Sequence, residues 1–147
     1  MRVSTRVEYG VIALTDIVIH SENGSSVSAP DIAQRQKISH KYLEQILLLL
    51  RQAGFITAQK GLRGGYTLAC SPEEVTLSDV LNALDMNILA DMDPKDEEGG
   101  LRPVVRDCFW EKINSNLNQY ASGLTLKAFA DQCKNKKIGE DWDLYVI

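Results

Sequence analysis

The 147-residue sequence is 44% hydrophobic and 24% charged, proportions typical of one ordinary soluble domain or of a small domain with an appendage. No run approaches about 18 uncharged apolar residues and MRVSTRVEYG lacks the apolar segment of a signal peptide, so we expect a cytoplasmic protein without a membrane span. The net charge of -4 is uneven: residues 1–70 carry eight Lys or Arg against five Asp or Glu, and residues 71–147 carry eight against fifteen. Only the first half suits a polyanionic partner.

Three cysteines, Cys70, Cys108 and Cys133, stand 38 and 25 residues apart. This spacing suits neither a disulfide framework nor a CxxC-type metal site, so we interpret them as reduced intracellular thiols and expect no metal site. The sequence also lacks a Ser/His/Asp constellation, a catalytic pair of carboxylates and a phosphate-binding loop of the Walker type. We therefore expect no catalytic residues and no enzymatic activity.

Two helices are predicted at the start of the chain. The stretch TRVEYGVIALTDIVIH has apolar residues at helical spacing and predicts a first helix over about 5–20, with Thr5 and Glu8 as its capping box. The turn-rich SENGSS ends this helix. A second, short helix begins within VSAPDIAQRQ, where Ser28 is the expected N-cap.

A third helix completes a helix-turn-helix pattern. Ser39 is placed to cap it and Gly54 is placed to end it. Its apolar stripe, which should face the core, consists of Leu43, Ile46, Leu47 and Leu50. Because two short helices joined by three or four residues form the helix-turn-helix motif, this segment is a candidate for DNA recognition.

The segments FITAQ and YTLA flank KGLRGG and predict a β-hairpin, whose expected inward-facing residues are Ile56, Ala58, Tyr66 and Leu68. The loop glycines, which allow positive φ angles and a close approach to a surface, are Gly61, Gly64 and Gly65. Lys60 and Arg63 offer charge to phosphates. For this stretch alone, an ordinary glycine-rich hairpin is an equal alternative. The preceding helix-turn-helix favours the wing of a winged helix.

The second half of the chain is predicted to be helical as well. VTLSDVLNALD predicts a helix over about 77–85 with Thr76 and Asp79 as a capping box. An acidic, glycine-ended loop follows, and LRPVVRDCFWEKINSNLNQYASG then predicts another helix. That helix carries an apolar seam at spacings of 3, 4, 3 and 4 residues, formed by Trp110, Ile113, Leu117, Tyr120 and Leu124.

This seam has two interpretations. It could face the core of its own subunit, or it could meet its copy in a homodimer. We favour the homodimer, because only one small winged domain is available to cover the seam and a dimer suits palindromic DNA. The end of the chain, TLKAFADQCKNKK and DWDLYVI, predicts one more short helix and an apolar tail.

The expected fold class is therefore mainly α with a small β-hairpin. A winged helix-turn-helix DNA-binding domain should cover residues 1–85, an acidic loop residues 86–101, and a dimerisation helix with a C-terminal segment residues 102–147.

Four stretches carry a family resemblance: STRVEYG, ISHKYLEQILLLLRQAGFITAQKGLRGGYTL, VTLSDVLNAL and LTLKAFA. Together they resemble the Rrf2 family of bacterial transcription regulators over nearly the whole chain. The most specific match is Tyr42-Leu43-Glu44-Gln45, followed by Arg51, Ala53-Gly54 and Gly64-Gly65-Tyr66. The resemblance implies a winged-helix homodimer that binds double-stranded operator DNA, and we expect a repressor.

The chain departs from the iron-sulfur members of that family. Those members hold three cysteines in the loop before the long dimer helix, but residues 86–101 contain none, so three local thiolates are not available to bind a cluster. We therefore expect no cofactor. The chain looks closest to the cluster-free, CymR-like repressors of cysteine metabolism, which implies a cysteine synthase as a partner. Two other sensors stay open: oxidation of Cys108 alone, or a cluster with dispersed ligands such as Glu8 or His40.

Candidate DNA contacts lie on the third helix, the helix caps and the wing. The first turns of the third helix should face the major groove, where Gln suits adenine and Glu can accept from cytosine N4. Caps could offer backbone amides to phosphates. The candidates are Thr5, Ser28, Ser39, His40, Lys41, Tyr42, Glu44, Gln45, Lys60, Arg63, Gly64 and Gly65. A winged-helix module that binds protein instead is the competing class, and the basic Lys60 and Arg63 argue against it.

Overall fold

A computed structural model describes residues 2–62, 64–91 and 99–146, with side chains as far as Lys137. Its helices are α1 Thr5–His20, α2 Ala29–Gln36, α3 His40–Gln52, α4 Leu77–Leu84, α5 Arg102–Val105, α6 Glu111–Ser122 and α7 Leu126–Val146, with a π-helical turn, Arg106–Trp110, between α5 and α6. Strands β1 Ile56–Gln59 and β2 Gly65–Leu68 pair antiparallel, with Ile56 opposite Leu68. The mainly helical class with one small hairpin is confirmed.

Side-chain caps start three helices at the predicted residues. Ser28 accepts a hydrogen bond from the backbone N–H of Asp31 at 3.2 Å, and Ser39 accepts one from that of Tyr42 at 3.3 Å. The reciprocal capping box at the start of α4 is also present. Each cap satisfies a backbone donor that the first helical turn leaves unpaired.

The predicted cap of α1 is wrong. Ser4, not Thr5, is the N-cap, and its Oγ accepts from the backbone N–H of Val7 at 3.3 Å. Ser4 keeps the extended backbone that a cap requires, with φ of −67° and ψ of 155°, whereas Thr5 is already the first helical residue.

The core lies where α1, α2, α3, α4, the hairpin and the start of α7 meet. The predicted apolar stripe of α3 is confirmed, since all four of its members are buried. The largest fully buried side chains are Leu14, Ile17, Ile32, Leu43, Ile46, Leu47, Leu50, Ile56 and Leu126. Leu126 and Ala130 of α7 belong to the same cluster as the winged domain, so the C-terminal segment contributes to that core.

One inward-facing residue of the hairpin was predicted wrongly. Ile56 is buried, and Tyr66 and Leu68 are half-buried against the core, but Ala58 is exposed. Of β1, only the first residue reaches the core, and the rest of the strand extends into solvent.

The C-terminal half differs from the sequence prediction in two places. Leu124 lies beyond the end of α6 and does not continue the seam; its carbonyl accepts from the N–H of Leu77 at 2.9 Å, and its side chain packs on the small cluster around Leu77 and Ala121. In addition, α7 is one helix of 21 residues rather than a short helix and a tail. It contains no proline that would break it. Within the described ranges, none of the helices is long and apolar enough to cross a membrane.

Candidate nucleic-acid interface

The first two turns of α3 present a polar face to solvent. His40, Lys41, Glu44 and Gln45 are all exposed there, on the side away from the buried stripe. His40 Nε2 lies 3.5 Å from Glu44 Oε1, an electrostatic contact rather than a short hydrogen bond. The four side chains together offer hydrogen-bond donors and acceptors, which is the chemistry needed to read base edges in the major groove.

Tyr42 differs from these neighbours because it is half-buried. Its ring meets that of Tyr9 on α1 edge to face, with centroids 5.5 Å apart and planes at 80°, and it packs against the core. Such a pair holds the first turn of α3 against α1. Tyr42 thus has a structural role, and a DNA contact by its hydroxyl stays a prediction.

Three other candidates lie at helix starts. Thr5 and Ser39 are exposed, whereas Ser28 is half-buried. The hydroxyls of Ser28 and Ser39 are already used as caps. Their assignment to phosphate binding stays a prediction.

The hairpin is attached beside the start of α2. Val27 N–H donates to Tyr66 O and Tyr66 N–H donates to Val27 O, each at 2.8 Å. Gly65 lies directly against this bridge, so that a methyl group on it would come within 2.6 Å of the carbonyl oxygen of Val27. The protein's own backbone therefore requires glycine at this position, independently of any contact with DNA.

A hydrogen bond of 3.0 Å from Gly64 N–H to Gly61 O closes the tip of the wing. Gly61 has a φ of +114°, a conformation that favours glycine. The loop therefore uses the positive φ that glycine allows at Gly61, whereas Gly65 is required by its close contact with Val27. Lys60 is exposed beside the tip. Arg63 lies outside the described residues.

The sequence analysis missed a buried carboxylate that joins the first two helices. Asp16 is only 2% exposed and accepts hydrogen bonds from Arg35 Nε at 3.0 Å, from Arg35 Nη2 at 2.8 Å and from Gln36 Nε2 at 2.7 Å. These bonds to Asp16 raise the pKa of the Arg35 guanidinium above its usual value, so Arg35 stays charged. The available signal was an acidic residue, Asp16, within VIALTDIVIH, the largely apolar second half of the first helix.

The three cysteines are dispersed. Cys108 is exposed in the π-helical turn, whereas Cys70 and Cys133 are half-buried. Burial raises the pKa of the Cys70 thiol. In the part of the chain that the structure describes, no three His, Cys, Asp or Glu side chains converge as metal ligands. The three thiols of one chain therefore do not converge on one point, as cysteine ligands of an iron-sulfur cluster would have to.

Known proteins resemble this chain over most of its length. Residues 3–132 match the Rrf2 family, described as an iron-dependent transcriptional regulator. The transcriptional regulator IscR of Aliivibrio salmonicida is 32% identical over 128 residues, which are 86% of this chain and 75% of the relative. Protein rrf2 of Nitratidesulfovibrio vulgaris is 47% identical over 85 residues, 58% of this chain and 56% of the relative.

Solved structures agree with these relatives. CymR, the global cysteine regulator of B. subtilis, superposes with a TM-score of 0.77 at 28% identity, covering 90% of this chain and 98% of that one. IscR of T. potens superposes with a TM-score of 0.73 at 29% identity, covering 90% and 88%. The chain therefore belongs to the Rrf2 family and is a winged-helix, DNA-binding transcription regulator rather than an enzyme.

Proposed function

We propose that this regulator is a repressor that binds a palindromic operator as a homodimer in the bacterial cytoplasm. The observation that carries the proposal is the polar face of α3, where His40, Lys41, Glu44 and Gln45 point away from the core. A recognition helix of this kind lies in the major groove with its N-terminal residues against the base edges. A dimer bound across promoter DNA would repress by occupying the site that the polymerase needs.

The exposed seam of α6 supports the homodimer. Trp110, Ile113, Leu117 and Tyr120 are all exposed, Tyr120 by 70%, so the seam does not face the core of its own subunit. A different side of α6 packs against its own subunit. There, Asn118 Nδ2 donates a hydrogen bond to Leu89 O at 3.2 Å, and Ala121 is buried. A contiguous apolar surface of this kind is typical of a protein interface.

The π-helical turn lengthens this apolar surface. An i→i+5 turn contains one residue more than an α-helical turn. The residues before the turn are therefore rotated around the helix axis by about 100° relative to their positions on an uninterrupted α-helix. On an uninterrupted α-helix, Val105 and Trp110 would be roughly 140° apart around the axis, and the extra residue reduces this angle to about 40°. Val105, which is exposed, therefore extends the seam on the side that we assign to the second subunit.

We further propose that the protein works without an iron-sulfur cluster. The support is the absence of cysteine from residues 86–101 together with the dispersed positions of Cys70, Cys108 and Cys133. Absorbance of protein purified without oxygen tests this directly. A colourless dimer that binds DNA is expected, and a visible charge-transfer spectrum would contradict the proposal.

The likeness to CymR suggests the regulated process. That protein is described as a global cysteine regulator, and we propose that this chain also regulates cysteine metabolism, with a cysteine synthase as its partner. We expect the purified regulator and the purified cysteine synthase to elute together in gel filtration. We also expect the synthase to change the affinity of the regulator for its operator. Redox sensing is the second candidate, because the Cys108 thiol is exposed beside the dimer seam.

DNA binding is tested by fluorescence anisotropy with duplexes from the upstream region of the protein's own gene, since regulators of this kind often control neighbouring genes. Gln45→Ala should weaken binding to the cognate duplex by about 1–3 kcal/mol and hardly change binding to scrambled DNA. Lys60→Ala, beside the tip of the wing, should weaken both and reduce the salt slope by about 0.9, because we assign Lys60 to a phosphate. If Gln45→Ala changes no affinity, Gln45 does not read the operator, and if Lys60→Ala changes none, the wing does not contact phosphates.

A further inference from the structure

Leu48 interrupts the polar face of α3. It is 51% exposed, whereas its apolar neighbours Ile46, Leu47 and Leu50 are buried and Leu49 is half-buried. At about 100° per residue, Leu48 lies within roughly 60° of Lys41, Glu44 and Gln45 around the helix axis. A large apolar side chain is thus placed at the C-terminal edge of the surface to which we assign base recognition.

Within the described residues, Leu48 is not among those packed against either apolar cluster. A single exposed leucine on a protein surface needs no special explanation, so its position on the helix decides the argument. It projects from the same side as the base-reading candidates and lies one turn beyond Glu44. Any ligand that those polar side chains contact would also meet Leu48.

The DNA major groove displays one apolar group, the 5-methyl group of thymine, which apolar side chains contact. An α-helix with its side chains is about 10–12 Å in diameter, so it fits lengthwise in a major groove about 12 Å wide. Because Lys41, Glu44 and Leu48 lie on one side of α3, a helix lying in the groove can turn all three toward the bases.

We propose that Leu48 contacts the 5-methyl group of a thymine in each operator half-site and so determines the base preferred there. The inference rests on the proposed function, because it needs α3 to lie in the major groove. Glu44 and Gln45 then hydrogen-bond to base edges beside that thymine, and Leu48 adds an apolar contact that neither can supply.

The experiment begins with selection of bound duplexes from a randomised library by the wild-type protein. Each thymine of the selected duplex is then replaced, one at a time, by deoxyuridine, which lacks the 5-methyl group and keeps the base pairing. For the wild type, one thymine per half-site should show a loss of affinity of about fourfold on replacement, the value for burial of one methyl-sized group. For Leu48→Ala, the same replacement should change nothing, because the contact is already lost.

Met86→Ala is the control. Met86 is also a large exposed apolar residue, but it lies beyond the end of α4, outside α3 and the wing, so this variant should keep the wild-type profile of deoxyuridine sensitivity. Leu48→Met, which retains an apolar side chain, should keep it too. If Leu48→Ala shows the wild-type profile, or if no thymine is sensitive in the wild type, the inference is wrong while DNA binding stands. If the library yields no enriched duplex, the proposed function fails together with the inference.

Discussion

Arg35 on α2 donates two hydrogen bonds to Asp16 on α1, and this ion pair links the first helix of the helix-turn-helix to α1. The carboxylate is buried and Gln36 donates a third hydrogen bond to it. Burial of a charge is costly unless it is paired and hydrogen-bonded. Both donors come from the last turn of α2, so the pair defines where α2 lies against α1 and hence where α3 begins.

Asp16→Ala should lower the free energy of unfolding by about 2–3 kcal/mol, because hydrogen bonds to a charged group are lost and Arg35 is left without its partner. Urea denaturation measures the change. Asp131→Ala is the control: its carboxylate pairs with Lys127 on the surface, and such a pair is worth about 0–1 kcal/mol. If Asp16→Ala lowers the free energy of unfolding no more than Asp131→Ala does, the Asp16 pair does not stabilise the fold beyond a surface pair.

Features set by a few neighbouring residues could be predicted from the sequence. The caps Ser28 and Ser39 and the box formed by Thr76 and Asp79 are local hydrogen-bond patterns, and the apolar stripe of α3 is a local periodicity. The choice between Ser4 and Thr5 failed because two adjacent hydroxyl residues can each cap a helix. The backbone conformation that distinguishes them is not encoded in the pattern.

Features that depend on tertiary contacts could not be predicted. The partners Asp16 and Arg35 are 19 residues apart in the sequence, and neither residue alone indicates the other. Gly65 was assigned a role in approaching DNA, but its neighbour is the backbone of Val27, which only the folded structure brings to it. In the same way, the exposure of Leu48 depends on how the other elements pack around α3.

Gly65→Ala should move the wing. The added methyl group would lie 2.6 Å from Val27 O, so the bridge between Val27 and Tyr66 must open or shift, at a cost of about 1–3 kcal/mol. We expect a lower thermal midpoint and weaker binding to all duplexes. Gly123→Ala is the control and should lower the thermal midpoint less, because its nearest neighbour, Gln119 O, would be 3.2 Å from the methyl group and needs to move by only a few tenths of an ångström. If Gly65→Ala has wild-type stability and affinity, the wing is not held by this bridge.

Cys108 should react with iodoacetamide faster than Cys70 in the folded protein. The Cys108 side chain is exposed, whereas burial both shields the Cys70 thiol and raises its pKa. A raised pKa leaves a smaller fraction of reactive thiolate at any pH below it. Mass spectrometry of peptides after timed labelling at pH 8 measures both rates, and labelling in urea should bring them closer together. Equal rates in the folded state would contradict the packing of Cys70.

The double variant Leu117→Glu with Tyr120→Glu should be monomeric. Both side chains are exposed on the seam of α6, and in a dimer they would be buried against apolar neighbours, where unpaired carboxylates are costly. Light scattering should give the mass of one chain, with a circular dichroism spectrum like that of the wild type. Because a dimer contacts two half-sites at once and a monomer only one, binding to a palindromic duplex should weaken far more than binding to an isolated half-site. Ser115→Glu, at an exposed position on the opposite side of α6, should remain dimeric. A folded double variant that is still a dimer would move the interface away from this seam.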